Sequence, residues 1–472
     1  MDCFSGGRTR QQFEFLRRQF LQDGELPFTN VLTAETISDA LKTIKVAWND
    51  RIYTPLATLW IFLGQVLNQD HSCRAAVAKW IAHRVAHGLS SCSSETGSYC
   101  QARKRLPEEF FSTVARRVGQ SLDNQVNHQW LWKGREVYLF DGTTVTMPDT
   151  PENQAAYPQV SNQKPGLGFP MARICTIMSL SCGAILELGI CRYAGKGQGE
   201  LSLLRKLWNL FKPGDVLLTD AMMATWYEMF TLKQRGVDMV SRLNKSHRSA
   251  DFRCGERLGK GDHIVRWPKP FIRNLDRATR QSLPAFLEVR EVRIHILQPG
   301  FRSKEIVIVT TILNPQLATR EELAELYRKR WNQELDLRNI KVSLQMDFLR
   351  CKSPALVRKE IWTHVLAYNL IRTVMAQAAN KHGVEPRTIS FKATVQTLDA
   401  FQPLIGIQQH FALQSLQDIY DNILDAISIH RVADRPDRFE PRKRKRKPRK
   451  ADPMTKPRWE LKELMRKGFT KI

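Results

Sequence analysis

The stretch from Leu326 to Leu344, LYRKRWNQELDLRNIKVSL, sets Tyr327, Arg330, Glu334 and Lys341 at successive spacings of three, four and seven. At about 100° per residue their directions fall within roughly 60° of one another, so a single helix would carry all four on one face. A glutamate between two cations and a phenol suits a place where a metal is held beside a phosphate. There Arg and Lys neutralise the phosphate oxygens that would repel the carboxylate. The chemistry suggested is phosphodiester cleavage or transfer. A solvated helix face uses the same residue types at the same spacing, so the stretch does not decide alone.

Tyr327, Arg330, Glu334 and Lys341 follow the pattern Y-x2-R-x3-E-x6-K without gap or substitution. In this the chain resembles the insertion-sequence-four family of DDE transposases. The resemblance implies an α/β, ribonuclease-H-like catalytic domain in which Glu334 completes a carboxylate triad with two upstream aspartates at the ends of central strands. It also implies two Mg2+ ions, with Mn2+ as a plausible substitute, and double-stranded DNA as partner, both transposon terminal inverted repeats and target. Arg330, Lys341 and Tyr327 would contact the DNA backbone, and a homodimer would assemble on the DNA.

Two aspartates meet the demand. Residues 137–140, Val-Tyr-Leu-Phe, read as a buried strand ending at Asp141, before Gly142-Thr143-Thr144. Residues 216–219, Val-Leu-Leu-Thr, follow a Lys212-Pro213-Gly214-Asp215 turn and end at Asp220. An aspartate just past a strand can equally cap the next turn or helix; paired with the glutamate helix, the metal reading is preferred. Apolar runs at 172–180 and 185–190, a helix at 200–210, the Asp220 strand, a helix at 222–233 and a strand at 237–240 then give the ribonuclease-H-like order. Arg242 and Lys245, just past that last strand, are further candidates for DNA contact.

Some seventy residues separate this strand from the Glu334 helix, with β-like segments at 286–297 and 305–313. They read as a β-rich insertion at about 244–316, of the kind the resemblance implies for contact with the transposon end. The tryptophan that often stacks on a flipped base in such insertions is missing from Lys304-Glu305-Ile306-Val307-Ile308. Trp267, between Arg266 and Pro268, could stack on a base or anchor the packing. Trp331 reads as helix packing.

Residues 1–125 read as a helical, DNA-end-binding domain, with apolar periodicity at 13–21, 34–44, 55–67, 75–86 and 110–118. Gln101, Arg103, Lys104 and Arg105 resemble the exposed side of a recognition helix, although a generic bundle with a basic surface fits equally. The catalytic domain is expected over 126–385, closed by an amphipathic segment at 355–379 in which His364 reads as a hydrogen-bonded core residue. A helical region follows at 386–430. From 431 to 472 the chain reads as a disordered basic tail, since residues 441–450 hold eight cations and almost nothing to bury. DNA backbone is its favoured partner; a solubilising tail and a nuclear address are the alternatives.

The charge of +25 and the pI near 9.9 favour a polyanionic partner. Residues 431–472 carry seventeen Lys or Arg against six acids, which leaves +14 on the rest, so the tail alone does not explain the charge. Nine cysteines with no Cys-x2-Cys pair argue for reduced thiols and against a zinc module. The polar start, MDCFSGGRTRQQ, does not read as a signal peptide, and the longest apolar stretch, 55–67, is too short to span a bilayer. The expectation is a cytoplasmic, bacterial, nucleoid-associated transposase cleaving and joining DNA by a two-metal mechanism. The alternatives are an inactive DNA-binding derivative of one, and a metal-dependent nuclease without strand transfer.

Overall fold

The computed structural model describes residues 7–22, 27–45, 52–296, 305–407, 416–432 and 456–468, apart from the single positions 162, 247 and 274. Six helices come first: α1 (Gly7–Arg18), α2 (Ala34–Lys42), α3 (Pro55–Leu67), α4 (Cys73–Ala86), α5 (Gly97–Arg105) and α6 (Glu108–Asn124). Then follow β1 (Val137–Thr146), α7 (Pro151–Ala156), β2 (Met171–Ser179), β3 (Ile185–Arg192), α8 (Glu200–Leu207), β4 (Val216–Thr219), α9 (Trp226–Gln234) and β5 (Asp238–Arg242). The intervening segment holds β6 (Glu256–Gly259), β7 (Asp262–Pro268), α10 (Arg277–Ser282), β8 (Phe286–His295) and β9 (Glu305–Thr310). The chain ends with α11 (Arg320–Lys329), α12 (Trp331–Arg338), α13 (Pro354–Lys381), α14 (Phe391–Ile407), α15 (Leu416–Ile429) and α16 (Arg458–Arg466).

All nine strands form one sheet in the order β3-β2-β1-β4-β5-β9-β8-β7-β6. The β1–β2 and β2–β3 pairs are antiparallel, while β4 runs parallel to β1, and β5 to β4. This reproduces the expected order of three strands, helix, strand, helix, strand. The insertion adds its strands to the same sheet through the antiparallel β5–β9 pair, which closes an edge β5 would otherwise leave open. β8 and β9 fall where alternation predicts them; β6 and β7, carried by the charged 256–268 segment, do not show in the pattern.

α13 is the hub. It is buried nearly all round, and its polar groups bond to its neighbours. Asn369 accepts from the Ile185 amide (2.8 Å) and donates to the carbonyls of Ile185 (2.9 Å) and Ala115 (3.1 Å), tying β3, α6 and α13 together. One hydrophobic core runs from Phe13 and Leu16 through the sheet to Ile423 and Leu424, so the helical amino-terminal region shares its core with the sheet. Asp336 on α12 is buried against Arg372 of α13 and against Arg387, fixing the signature segment to the hub.

Several expectations change. Asp141 lies inside β1 rather than at its end, because Thr143, Thr144 and Val145 continue the ladder with β2 after the pairing with β4 has stopped. The signature stretch is helical throughout but not uniform. The α-helical hydrogen-bond ladder breaks at Arg330, between α11 and α12, where the backbone stays α-helical (φ −53°, ψ −33°) and the bonds tighten. The stretch then continues into a π-helical turn at Asn339–Ser343 that carries Lys341. Arg103, expected on an exposed recognition face, is buried between the rings of Tyr99 and Phe62. The tail, expected to be disordered, ends in α16, where Arg458 stacks on Phe169 and its amide donates to the Gly166 carbonyl; the eight-cation run lies outside the described residues. His364 is a core residue, with a ring nitrogen near each of the carbonyls of Glu360 and Leu344. Among the described residues no helix is long and apolar enough to cross a membrane.

Asp336→Ala leaves two buried guanidinium groups without their acid and is expected to cost about 3–5 kcal/mol in urea unfolding. At the start of β1, burial first and then Asp123 and Asp215 push the Glu136 carboxyl up to about 7. Its folded value lies above its unfolded one, so the folded state loses stability progressively as pH rises from 4.5 to about 7. Glu136→Gln should therefore raise the urea midpoint at pH 8 and leave it nearly unchanged below about pH 4.

Candidate active site

The site begins with strand register. β1 and β4 pair in parallel up to Phe140 opposite Thr219, and the next residue on each strand is an aspartate. Neighbouring strands lie roughly 4.8 Å apart, so Asp141 and Asp220 emerge side by side where the two strands part. Asp141 accepts a bond from the Gly142 amide (2.7 Å). Burial pushes its carboxyl up to about 6; the Gly142 amide opposes the rise, Asp220 adds to it, Arg330 opposes it and Glu200 adds to it. Asp220 accepts from the Met222 amide (2.9 Å), and its carbonyl accepts from the Ser241 hydroxyl of β5 (2.6 Å). The turn-capping role weighed from sequence is thus present at Asp220 together with the pairing to Asp141.

The second wall is the broken signature helix. Thr319 and Glu322 form a capping box that starts α11. Past the break, Gln333 is buried and donates to the Thr176 carbonyl of β2 (3.3 Å), which holds α12 against the sheet. Arg330, at the break, donates through Nη2 to Glu334 Oε1 (2.7 Å) and stands 6.0 Å from the Tyr327 ring centroid. Burial pushes the Tyr327 hydroxyl up, Arg330 and Arg242 pull it down, and Asp220 pushes it up again. Asp141, Asp220, Tyr327, Arg330, Arg242 and Glu334 therefore form one electrostatic neighbourhood.

Lys341 is not joined to it. On the π-helical turn its side chain is half-buried and makes no hydrogen bond or ion pair among the described residues. Lys245 is exposed on the turn after β5 and makes none either. Trp331, expected to pack, is 56% exposed beside Arg330, whereas Trp267 is 4% exposed and donates to Glu291 (2.8 Å), an anchor of the insertion.

Sequence reasoning passed over Glu200, the first residue of α8. A Cβ added to Gly142 would stand 2.5 Å from Glu200 Oε1, so this third carboxylate leans on the residue next to Asp141. The available signal was an acid opening a helix directly after the Gly195-Lys196-Gly197-Gln198-Gly199 run.

Oxygen donors of this kind suit a hard divalent cation such as Mg2+ or Mn2+. The residues fit such an ion in type and in charge, since the half-buried Asp141 carboxyl has Asp220 and Glu200 as acidic neighbours and Arg330 alone opposing them. They do not yet close on it: among the described residues no three His, Cys, Asp or Glu side chains stand together closely enough to hold one metal. Glu334 is the member held aside, on Arg330.

Adjoining acids on two neighbouring strands of the sheet thus face a helical segment that presents Arg330 and Glu334. The family model described as "Transposase DDE domain" matches residues 132–370, half of the chain, and the chain belongs to that family. It is 28% identical over 296 residues to the transposase InsG of insertion sequence element IS4 from Escherichia coli K12, an alignment that covers 62% of this chain and 64% of that protein. The cryo-EM structure of the piggyBac transposase synaptic complex with hairpin DNA superposes with a TM-score of 0.42 and 9% identity, covering 88% of this chain and 85% of that one.

Proposed function

We propose that this chain is a DNA transposase of the insertion-sequence-four type, cleaving at transposon ends and transferring the strand into target DNA by a DDE mechanism. The observation that carries the reading is the register that sets Asp141 beside Asp220, facing Arg330 and Glu334, in a chain of the transposase DDE family. Asp141, Asp220 and Glu334 would hold two Mg2+ ions, or Mn2+ in their place. Such ions activate an attacking water or 3′-hydroxyl and stabilise the leaving oxygen. The carboxylates act as ligands rather than proton carriers.

Arg330 has two claims on it. Without DNA its fork is engaged by Glu334 (2.7 Å). A phosphate of the transposon end competes for the same donors, and a guanidinium that turns to phosphate releases the carboxylate it was holding. Glu334 is then free to join Asp141 and Asp220. Tyr327 adds a hydroxyl contact to the same backbone, and Arg242, Lys245 and Lys341 supply further phosphate contacts that orient the scissile bond. These contacts fix position and carry no sequence information themselves.

The division of labour follows the chain: end recognition by 1–125, catalysis by 126–385 with the insertion at about 244–316, support by 386–430, and nonspecific DNA contact by the basic segment after 431. Terminal inverted repeats and target DNA are the partners, and the active species is a homodimer assembled on DNA, at the bacterial nucleoid.

Alanine at Asp141, Asp220 or Glu334 is expected to reduce Mg2+-dependent cleavage of a labelled transposon end to background while end binding, read by gel shift, survives. Cleavage retained in any one of the three removes that residue from the triad. Joining of the cleaved end to a target plasmid distinguishes a transposase from a nuclease. Lys341→Ala should weaken end binding and reduce the slope of log affinity against log salt by about one; unchanged binding and slope would count against its phosphate role.

A further inference from the structure

Three of the nine cysteines, far apart in the chain, meet at one guanidinium. Arg103 of α5 is 3% exposed and has no carboxylate as an ion-pair partner among the described residues. Its Nη2 donates to the sulfurs of Cys73 (3.1 Å) and Cys100 (3.4 Å), and its Nη1 to Gln65 Oε1 (3.4 Å) and the sulfur of Cys351 (3.9 Å). Its Nε is buried without a hydrogen-bond partner. The ring centroids of Tyr99 and Phe62 lie 4.5 and 4.8 Å from the guanidinium carbon. A buried charge is ordinarily matched by an acid. Here sulfur and aromatic faces stand in its place.

The frame around the sulfurs is fixed. Cys73 opens α4 behind Ser72, whose hydroxyl accepts from the Ala75 amide (3.1 Å). Cys100 sits on α5, and Lys359 of α13 holds the end of that helix by donating to the carbonyls of Arg103 and Lys104 (3.1 Å each). Gln65 of α3 accepts from the Tyr99 hydroxyl (2.8 Å) and donates to the His71 carbonyl (2.7 Å), joining α5 to the turn before α4. Between these anchors the Cys73 and Cys100 sulfurs stand 3.9 Å apart. A disulfide bond is about 2.0 Å long, so closure asks for roughly 2 Å of approach, on the scale of side-chain rotation about Cα–Cβ. Both residues are half-buried, whereas Cys351 is buried. Burial pushes the Cys73 thiol up, and Arg103 is the largest influence against it. Free cysteines usually serve as small apolar side chains. That role does not bring two half-buried sulfurs onto one nitrogen of a buried cation that lacks an acid.

We propose that Cys73 and Cys100 are a redox-active dithiol, which a hydroperoxide closes to a disulfide tying α4 to α5. One thiolate attacks a peroxide oxygen, the O–O bond breaks, and the sulfur becomes a sulfenic acid. The second sulfur then displaces hydroxide from the first. The S–S bond forms, the S–O bond breaks, and the thiol proton leaves with the hydroxide as water. With hydrogen peroxide, two thiols and one peroxide give one disulfide and two waters, the sulfurs being oxidised and the peroxide oxygens reduced. The clasp lies on the helix whose Gln101, Lys104 and Arg105 remain exposed. Its chemistry is independent of the acids at the sheet.

The test treats reduced full-length protein, at low micromolar concentration, with one equivalent of hydrogen peroxide. Remaining thiols are blocked with N-ethylmaleimide in denaturant, and the cysteines are mapped by mass spectrometry of tryptic peptides with fragmentation. The expected product in most chains is an intramolecular disulfide between Cys73 and Cys100, with two thiols lost per chain and both recovered by dithiothreitol. Cys254 is exposed and serves as the reference for simple accessibility. Oxidation of Cys254 ahead of the pair, a disulfide from either residue to Cys351 in its place, or recovery of Cys73 and Cys100 as blocked thiols overturns the proposal. Cys73→Ser and Cys100→Ser should each abolish the two-thiol loss, and a variant that still loses two thiols also overturns it. The mapping in wild type decides by itself if either variant fails to fold.

Discussion

Everything at the site depends on one register: the parallel pairing of β1 with β4 that stops at Phe140 and Thr219. Because side chains alternate along a strand, a slip of one residue would turn one aspartate to the opposite face and separate the acids. The register is held by burial, since Val137 to Phe140 and Val216 to Thr219 are all enclosed on both faces of the sheet. The core thus fixes the placement of two carboxylates that would not choose to be adjacent. Burial, with a further contribution from Asp220, pushes the Asp141 carboxyl up to about 6.

The facing helix meets that unfavourable charge with an arginine. Asp336, buried between Arg372 and Arg387, and Gln333 on the Thr176 carbonyl hold α12 against the sheet. Arg330 stands at the break, where it answers both Glu334 on its own helix and Asp141 on the strand. On the proposed function, a phosphate brought to Arg330 would change two things at once, freeing Glu334 and withdrawing positive charge from Asp141, and both changes would favour a cation.

Much of this was legible in the sequence where local pattern and final environment agree. Thr54-Pro55 opens α3 by a side-chain cap and a first-turn proline, and the apolar run ends where the helix does. Val216 to Thr219, bracketed by a turn and Asp220, is the observed strand β4. The signature face was legible as residues but not as a shape. Helical periodicity assumes constant pitch, whereas the hydrogen bonds tighten around Arg330 and widen to a π-helical turn at Lys341. Asp141 was placed at a strand end because Gly142 looks like punctuation; its glycine instead makes room for Glu200, fifty-eight residues away in the chain. Arg103 was counted as exposed because charge usually is, but here Tyr99 and Phe62 take its guanidinium between their rings. Long-range partners of this kind leave no local trace.

The central claim is that the adjoining aspartates form a cation site which Glu334 completes only when DNA takes Arg330. A crystal structure of the protein with a cleaved transposon end and Mn2+, examined by anomalous scattering at the manganese edge, tests it most directly. The account predicts manganese bound by Asp141 and Asp220, a DNA phosphate on Arg330, and Glu334 turned from Arg330 to the metal. Manganese elsewhere, or Glu334 still bound to Arg330 with DNA and metal in place, would contradict it.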